Sequence, residues 1–237
     1  MKYSVLSYCL LLLAPCAMAE QVYSDPNPVT RSLVLQDEEA VVIAGVGYGE
    51  SHNGESITTP LIAFAYGVTD DVTIGPLGVR YRFNAFDNAS MPNLELAAEG
   101  GLMGFYESKD FGDSYAVGAG ISGKYRVSTE LALTFGTHYA VWLEDERDNR
   151  SEIRADVGVL YQVHPKLTLF AQGEYRELND FYQDNSMNAA VGGIWNLSRR
   201  SEITFAVNYD DFEPAKDGYD DDTLSECMMG ISYTYRY

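Results

Sequence analysis

The segment Glu50-Ser51-His52-Asn53-Gly54-Glu55-Ser56 sets a hydroxyl, an imidazole and carboxylates side by side, the residue types from which an acid and a base are assembled. A polar loop holds the same letters without chemistry, and loop composition is the simpler account. The chain has three histidines. His164 stands beside Pro165 in a short connection, and His138 lies in an alternating segment with no nucleophile recognisable nearby. None has a metal partner at ligand spacing. The run Asp217-Gly218-Tyr219-Asp220-Asp221-Asp222 offers carboxylates to a hard cation, yet it lacks the full spacing of a calcium loop. The glycine-rich stretches at 101–105 and 118–123 lack the strand-to-helix setting in which glycines cradle phosphate. No catalytic residue, metal or cofactor is expected.

A second set, of charged and polar residues, is larger and recurs with period two. Arg80 and Arg82, Glu95 and Glu99, Lys124 and Arg126, Glu152, Arg154 and Asp156, and Glu174 and Arg176 each fall on one face of an alternating segment, as do His138, Gln172, Glu202, Asp210 and Arg236. Both signs are interleaved. Opposite charges brought together in a partly dehydrated space persist when they pair. The alternation itself belongs to β-strands. In "LALTFGTHYAVWL", Leu131, Leu133, Phe135, Tyr139, Val141 and Leu143 share one face, and Ala132, Thr134, Gly136, His138, Ala140 and Trp142 share the other. Segments near residues 114–127, 152–163, 166–178 and 202–212 repeat the pattern. Helical periodicity is poor, and 21 Gly with 18 Tyr disfavour a helical bundle.

The N-terminus reads as an export signal. Lys2 precedes the apolar run "VLSYCLLLLAPCAMA", which is too short to span a bilayer as a helix and ends in Ala17-Met18-Ala19. Residues 1–19 are therefore expected to be a removable signal peptide. Cleavage there leaves Cys227 as the only cysteine, so no intramolecular disulfide supports the exported fold. Formal charge is −19, from 35 acids and 16 bases, and no basic patch is visible, which argues against nucleic acid as a partner. The acids gather in "EDERDNRSE", "NDFYQDNS" and "DDFEPAKDGYDDD", polar stretches between alternating ones.

A soluble sandwich and a membrane barrel both alternate, with opposite faces wet. Segments of 11 to 13 residues exceed a usual soluble strand and suffice to cross a bilayer when tilted. Tyr106, Tyr115, Tyr125, Tyr161, Tyr175 and Tyr209 lie near segment ends, where an interfacial girdle belongs. Short connections ("VSTE", "VHPK", "LSRRS") alternate with the long acidic ones. The chain closes on "GISYTYRY", in which Ile231, Tyr233, Tyr235 and Tyr237 alternate with Ser232, Thr234 and Arg236. This ending, through Gly230, Tyr233, Tyr235 and Tyr237, resembles the C-terminal strand of bacterial outer-membrane β-barrel proteins. The resemblance implies that the strand is the signal read by the barrel-assembly machinery. Phe is the commoner last residue there, so Tyr237 departs mildly from the pattern.

The expected fold is all-β, a single closed antiparallel transmembrane barrel. Residues 20–39 form a periplasmic lead and residues 40–237 the barrel. Eight strands follow in consistent parity from residue 94 onward. Upstream, "AVVIAGVGYGE", "SITTPLIAFAYGV" and "VTIGPLGVRYRF" would make eleven, whereas single-chain bacterial barrels have even numbers. Val72 and Ile74 are out of phase with Leu77, Val79, Tyr81 and Phe83, so Gly75-Pro76 marks a break. Ten strands is the preferred count. Twelve is the alternative, reached by adding "TRSLVLQ" at 30–36.

In such a barrel Arg80, Arg82, Glu95, Glu99, Lys124, Arg126, His138, Arg154, Asp156, Glu174, Arg176 and Arg236 line the lumen. Either they close it with ion pairs or they wall a polar path for small solutes. The expected role is a narrow passive channel or a membrane-stabilising barrel, monomeric, in outer-membrane lipid, with acidic surface loops. An adhesin or partner-binding barrel with a closed lumen is the alternative, and a lipid or peptide hydrolase at the rim, using His52 or His138, is a third reading.

Overall fold

The structure is a computed structural model that describes residues 25–51, 56–108, 112–144, 149–212 and 225–237. The proposed signal peptide, His52 and the acidic stretch 213–224 lie outside the described residues. Twelve strands form one closed barrel: β1 (Ala40–Ser51), β2 (Ser56–Thr69), β3 (Val72–Gly75), β4 (Gly78–Asn84), β5 (Leu94–Ser108), β6 (Gly112–Arg126), β7 (Leu131–Glu144), β8 (Arg150–His164), β9 (Leu167–Asn179), β10 (Asn185–Asn196), β11 (Ser201–Asp210) and β12 (Ser225–Arg236). Each strand pairs antiparallel with its neighbours in sequence, and β12 closes on β1 from Val41 opposite Arg236 upward. We call the end where β1 starts and β12 stops the lower end.

The alternation read from sequence becomes an inside and an outside. Leu133, Phe135, Tyr139 and Leu143 of β7 are exposed, whereas Ala132, Ala140 and Trp142 between them are buried. On β8 the outward Val157 is 67% exposed, and on β12 Met229, Ile231, Tyr233 and Tyr237 are exposed. An apolar belt of this extent is stable only against lipid. Aromatic rings edge it above (Tyr48, Phe105, Tyr115, Tyr139, Tyr175, Tyr209) and below (Tyr66, Tyr125, Tyr161, Trp195, Tyr233, Tyr237). The lower connections are tight, and side-chain acceptors close them. Ser128 Oγ accepts from the amides of Glu130 and Leu131, both at 3.1 Å, and Ser198 Oγ accepts from Arg200 N at 3.1 Å.

Among the described residues the strands number twelve, the alternative count above, and the preferred ten does not hold. Gly75 and Pro76 do not bulge one long strand. The chain reverses there and makes two short strands, with Ile74 opposite Val79 and Gly75 opposite Gly78. Proline has no N–H for a ladder and favours the turn. The segment 30–36 is not a strand of the wall. The amides of Leu33 and Leu35 go to side chains on the inner wall, and those of Thr30, Arg31, Val34 and Gln36 to acceptors within residues 27–39.

Glu38 turns the chain into β1 with a left-handed φ of 64°. Its N–H donates to Gly67 O at 3.0 Å, and Gly67 N donates to Glu39 O at 2.8 Å. A side chain on Gly67 would run into the Gln36 carbonyl, so glycine lets this bend lie flat on β2. Glu38→Gly relieves the left-handed strain and keeps the amide contact. It should raise the urea midpoint by about 1 kcal/mol in stability; an unchanged or lowered midpoint would show the bend to be unstrained.

Candidate functional site: a plugged barrel interior

Residues 25–39 do not trail away from the barrel. They fold into its lower mouth. Asp-Pro-Asn-Pro at 25–28 is turn chemistry. Asp25 Oδ1 accepts from Asn27 N (2.9 Å), Asn27 Oδ1 from Val29 N (3.0 Å), and Asn27 O from Arg31 N (2.9 Å). The compact turn buries Val29 completely, and Val34 is 2% exposed.

Inner-wall side chains hold the segment by its backbone. Glu95, 0% exposed, accepts from Ser32 Oγ and from Leu33 N (2.8 Å). Lys124 Nζ donates to Pro28 O (2.6 Å) and Arg31 O (2.7 Å). Arg80 Nη1 donates to Leu33 O (3.0 Å), and Thr73 Oγ1 accepts from Leu35 N (2.8 Å). Asn27 Nδ2 donates to Thr129 O and Gln162 Oε1, both at 3.0 Å. Arg31 donates to both oxygens of Glu202 (3.1 and 2.6 Å), a bidentate pair, and Arg236 Nη2 reaches Glu202 Oε1 at 3.1 Å. These contacts come from β3, β4, β5, β6, β8, β11 and β12, so the segment is anchored all round the mouth.

Above the plug the interior charges are paired. Arg80 Nε donates to Glu99 Oε2 at 2.7 Å, and Glu99 Oε1 meets His138 Nε2 at 2.6 Å. An ionised carboxylate only accepts, so Nε2 carries the proton. His138 Nδ1 is 3.9 Å from Asp156 Oδ1. Glycines across the ladder make room: side chains on Gly120 and Gly136 would collide with His138 and Asp156. Arg154 Nε donates to Glu152 (2.8 Å), and its Nη1 reaches Met103 O (3.2 Å), where β5 bulges between Leu102 and Gly104. Arg176 bridges Glu174 (2.6 Å) and Asp210 (2.9 Å).

Toward the upper end an aromatic cluster covers part of the interior. Trp142 stacks on Phe212 (centroids 5.7 Å apart) and meets Phe181 edge-on (6.2 Å). The guanidinium of Arg150 lies 3.9 Å over the Phe181 ring and that of Arg176 5.1 Å over Phe212. Phe212→Leu removes two ring contacts at a site 4% exposed and should lower unfolding stability by about 2 kcal/mol in a urea titration. A loss within error would show the cluster to be loosely packed.

The residues expected from sequence thus divide by height. Arg80, Glu99, His138, Arg154, Asp156, Glu174 and Arg176 meet in the middle and upper interior. Glu95, Lys124 and Arg236 serve the plug or its ring at the mouth, and so does Arg82, through Ser32 Oγ (3.2 Å) and Asp71 Oδ1 (2.9 Å). Arg126 stands apart at the lower rim, bonded to Asn93 Oδ1 (3.3 Å) and over the Phe86 ring (4.6 Å). Gly230 lies opposite Gly47, and Tyr235 and Tyr237 pack ring to ring at 4.7 Å. His138 stands between two carboxylates, those of Glu99 and Asp156. Among the described residues no group of three or more His, Cys, Asp or Glu is placed to hold a metal. Sequence reading missed the plug contacts and the aromatic cluster. The available signals were Asp-Pro-Asn-Pro ahead of β1 and lone aromatics, Phe181 and Phe212, within acidic stretches.

No family model and no curated protein matches this sequence. Solved structures do match. A loop L8 deletion mutant of OmpT, an outer-membrane protein of Vibrio cholerae, aligns at 14% identity over 85% of this chain and 98% of that one, with a TM-score of 0.50. The NanC porin aligns at 12% identity over 83% and 98%, with a TM-score of 0.51. The fold is that of a bacterial outer-membrane β-barrel. At such identities the likeness concerns the fold alone, and the plug and ion pairs stand on this chain's own geometry.

Proposed function

We propose that this protein is a monomeric outer-membrane channel for small polar solutes, narrow and passive, with the segment 25–39 as its gate. The lower end is then the periplasmic one, and β12, with Gly230, Tyr233, Tyr235 and Tyr237, is the strand presented to the assembly machinery. The observation that carries the reading is how the segment is held. Over residues 27–35 its bonds reach wall side chains, from its backbone and from Asn27, Arg31 and Ser32, and touch the wall's main chain only at Thr129 O in a turn, so it can leave the mouth as a unit while the wall's own ladder stays intact. Above it, carboxylates and guanidiniums in mutual pairs leave mixed-sign walls that favour neither anions nor cations strongly. No catalytic step is assigned to His138, whose ring is occupied by Glu99 and faces Asp156.

The aromatic cluster under the upper mouth favours a second reading, a sealed barrel that works through its surface loops. Swelling of proteoliposomes in a neutral pentose separates the two. The channel reading expects slow swelling with the intact protein and rapid swelling once residues 25–37 are deleted. Equal, slow swelling with both, from barrels that shift on heating in a gel, would leave the sealed reading.

A further inference from the structure

The wall is not of even height. β2 and β5 run 14 and 15 residues, but β3 and β4, which lie between them, run 4 and 7. The hairpin reaches only to the level of Tyr66 on β2 and Gly101 on β5, where Tyr66 faces Ile74 and Gly78 faces Gly101. Gly101, with φ 151°, accepts the hairpin's turn against it, and Leu102 N donates to Leu77 O at 2.7 Å. Above that level β2 pairs only with β1 and β5 only with β6. Among the described residues no pairing joins the upper halves of β2 and β5. The gap starts at Phe64, whose carbonyl still lies beside Gly75, and rises past Thr58, which is level with Tyr48 of the upper girdle. About 15 Å of wall height, by strand rise and tilt, is therefore open at the depth of the outer-leaflet acyl chains.

Two independent features agree with an opening. Pro60 stands in the middle of β2, a position proline tolerates where one edge of the strand has no neighbour. Residues 58–62 are exposed without alternation, so both faces of β2 are uncovered there. Leu61 is on the inward series, yet it is 47% exposed. The interior beside it is also the uncharged part of the lumen. Ala63 on β2, Gly45 and Gly47 on β1, Gly230 on β12 and Ala206 on β11 continue the inward surface, and the ion pairs above the plug stand on the wall from β4 to β9, except that Arg176 also reaches Asp210 at the upper end of β11.

We propose that this gap is a lateral portal through which small apolar molecules pass between the barrel interior and the outer leaflet of the membrane. An apolar solute that enters along the uncharged arc leaves sideways and never meets the plug. The portal does not rest on the gated-channel reading. The plug can be permanent and the portal still operate.

The test uses the protein reconstituted in vesicles, with Cys227→Ser as background and a bimane label at Leu61→Cys, Ala206→Cys or Val207→Cys. Val207 faces lipid, Ala206 faces inward behind paired strands, and Leu61 faces inward at the gap. In brominated phosphatidylcholine the label at 61 should be quenched like that at 207 and unlike that at 206. Quenching at 61 as weak as at 206 would mean that acyl chains do not reach the gap, and the portal would be lost. Passage itself is read by uptake of N-phenyl-1-naphthylamine into cells carrying the protein. Leu61→Glu sets a charge in an apolar path and should slow uptake about tenfold or more. A heat-modifiable Leu61→Glu barrel with unchanged uptake would overturn the passage even where lipid reaches the gap.

Discussion

Glu95→Ala will uncover Val34. The carboxylate is fully buried and satisfies Ser32 Oγ, Leu33 N and Arg82 Nη1 (3.4 Å) at once. Hydrogen bonds to a charged group each contribute about 1.5–3 kcal/mol, and a buried donor left unmet adds to the loss. Losing two of the plug's bonds should cost the seated state about 4 kcal/mol, near a thousandfold in its population. The barrel wall should survive, because Glu95 lies at the end of β5 and its backbone pairing with Lys124 does not need the side chain. The measurement is maleimide labelling of Val34→Cys in a Cys227→Ser background. Labelling should be slow in that parent and faster by two orders of magnitude or more with Glu95→Ala, in line with the plug's lost stability. A rate unchanged by Glu95→Ala would mean that the segment is held by packing of Val29 and Val34 and that the polar contacts are incidental.

The second large effect concerns Arg154 and Glu152. The Glu152 side chain is fully buried, and that of Arg154 is 13% exposed. Arg154→Ala strands a buried carboxylate and frees the Met103 carbonyl, a loss of about 3–5 kcal/mol. The pair itself is another matter, since desolvation of both ions offsets their attraction. Arg154→Met combined with Glu152→Leu should therefore lie within about 1 kcal/mol of the parent. Equilibrium unfolding in urea from vesicles gives both numbers. Equal losses for the single and double variants would show that the pair contributes net stability.

Much of the barrel was legible because its physics is local. Lipid outside and side chains inside impose period two on every long strand, and Val157 and Asp156 show the rule in adjacent residues. Gly75-Pro76 was legible as a break, but not its consequence. Whether a chain bulges or reverses at a proline depends on what pairs on either side, which adjacent residues do not record. The segment 30–36 misled for a related reason. Leu33 and Leu35 alternate as a strand would, yet their amides are met by Glu95 and Thr73, residues distant in sequence. The ion pairs were half legible. Inward positions follow from parity, whereas the meeting of Arg80 with Glu99 and His138 needs the register of β4 on β5 and the room left by Gly120. Arg154 reaching Met103 O needs the bulge in β5, and nothing in "GLMGF" announces a carbonyl turned inward.

The gate is tested most directly by single-channel conductance in a planar bilayer, comparing the protein with its Glu95→Ala variant under identical salt. The plugged barrel predicts a silent or rarely opening parent and frequent discrete openings in Glu95→Ala. The same steady conductance from both would contradict it, for the segment 25–39 would then occupy the mouth without closing it.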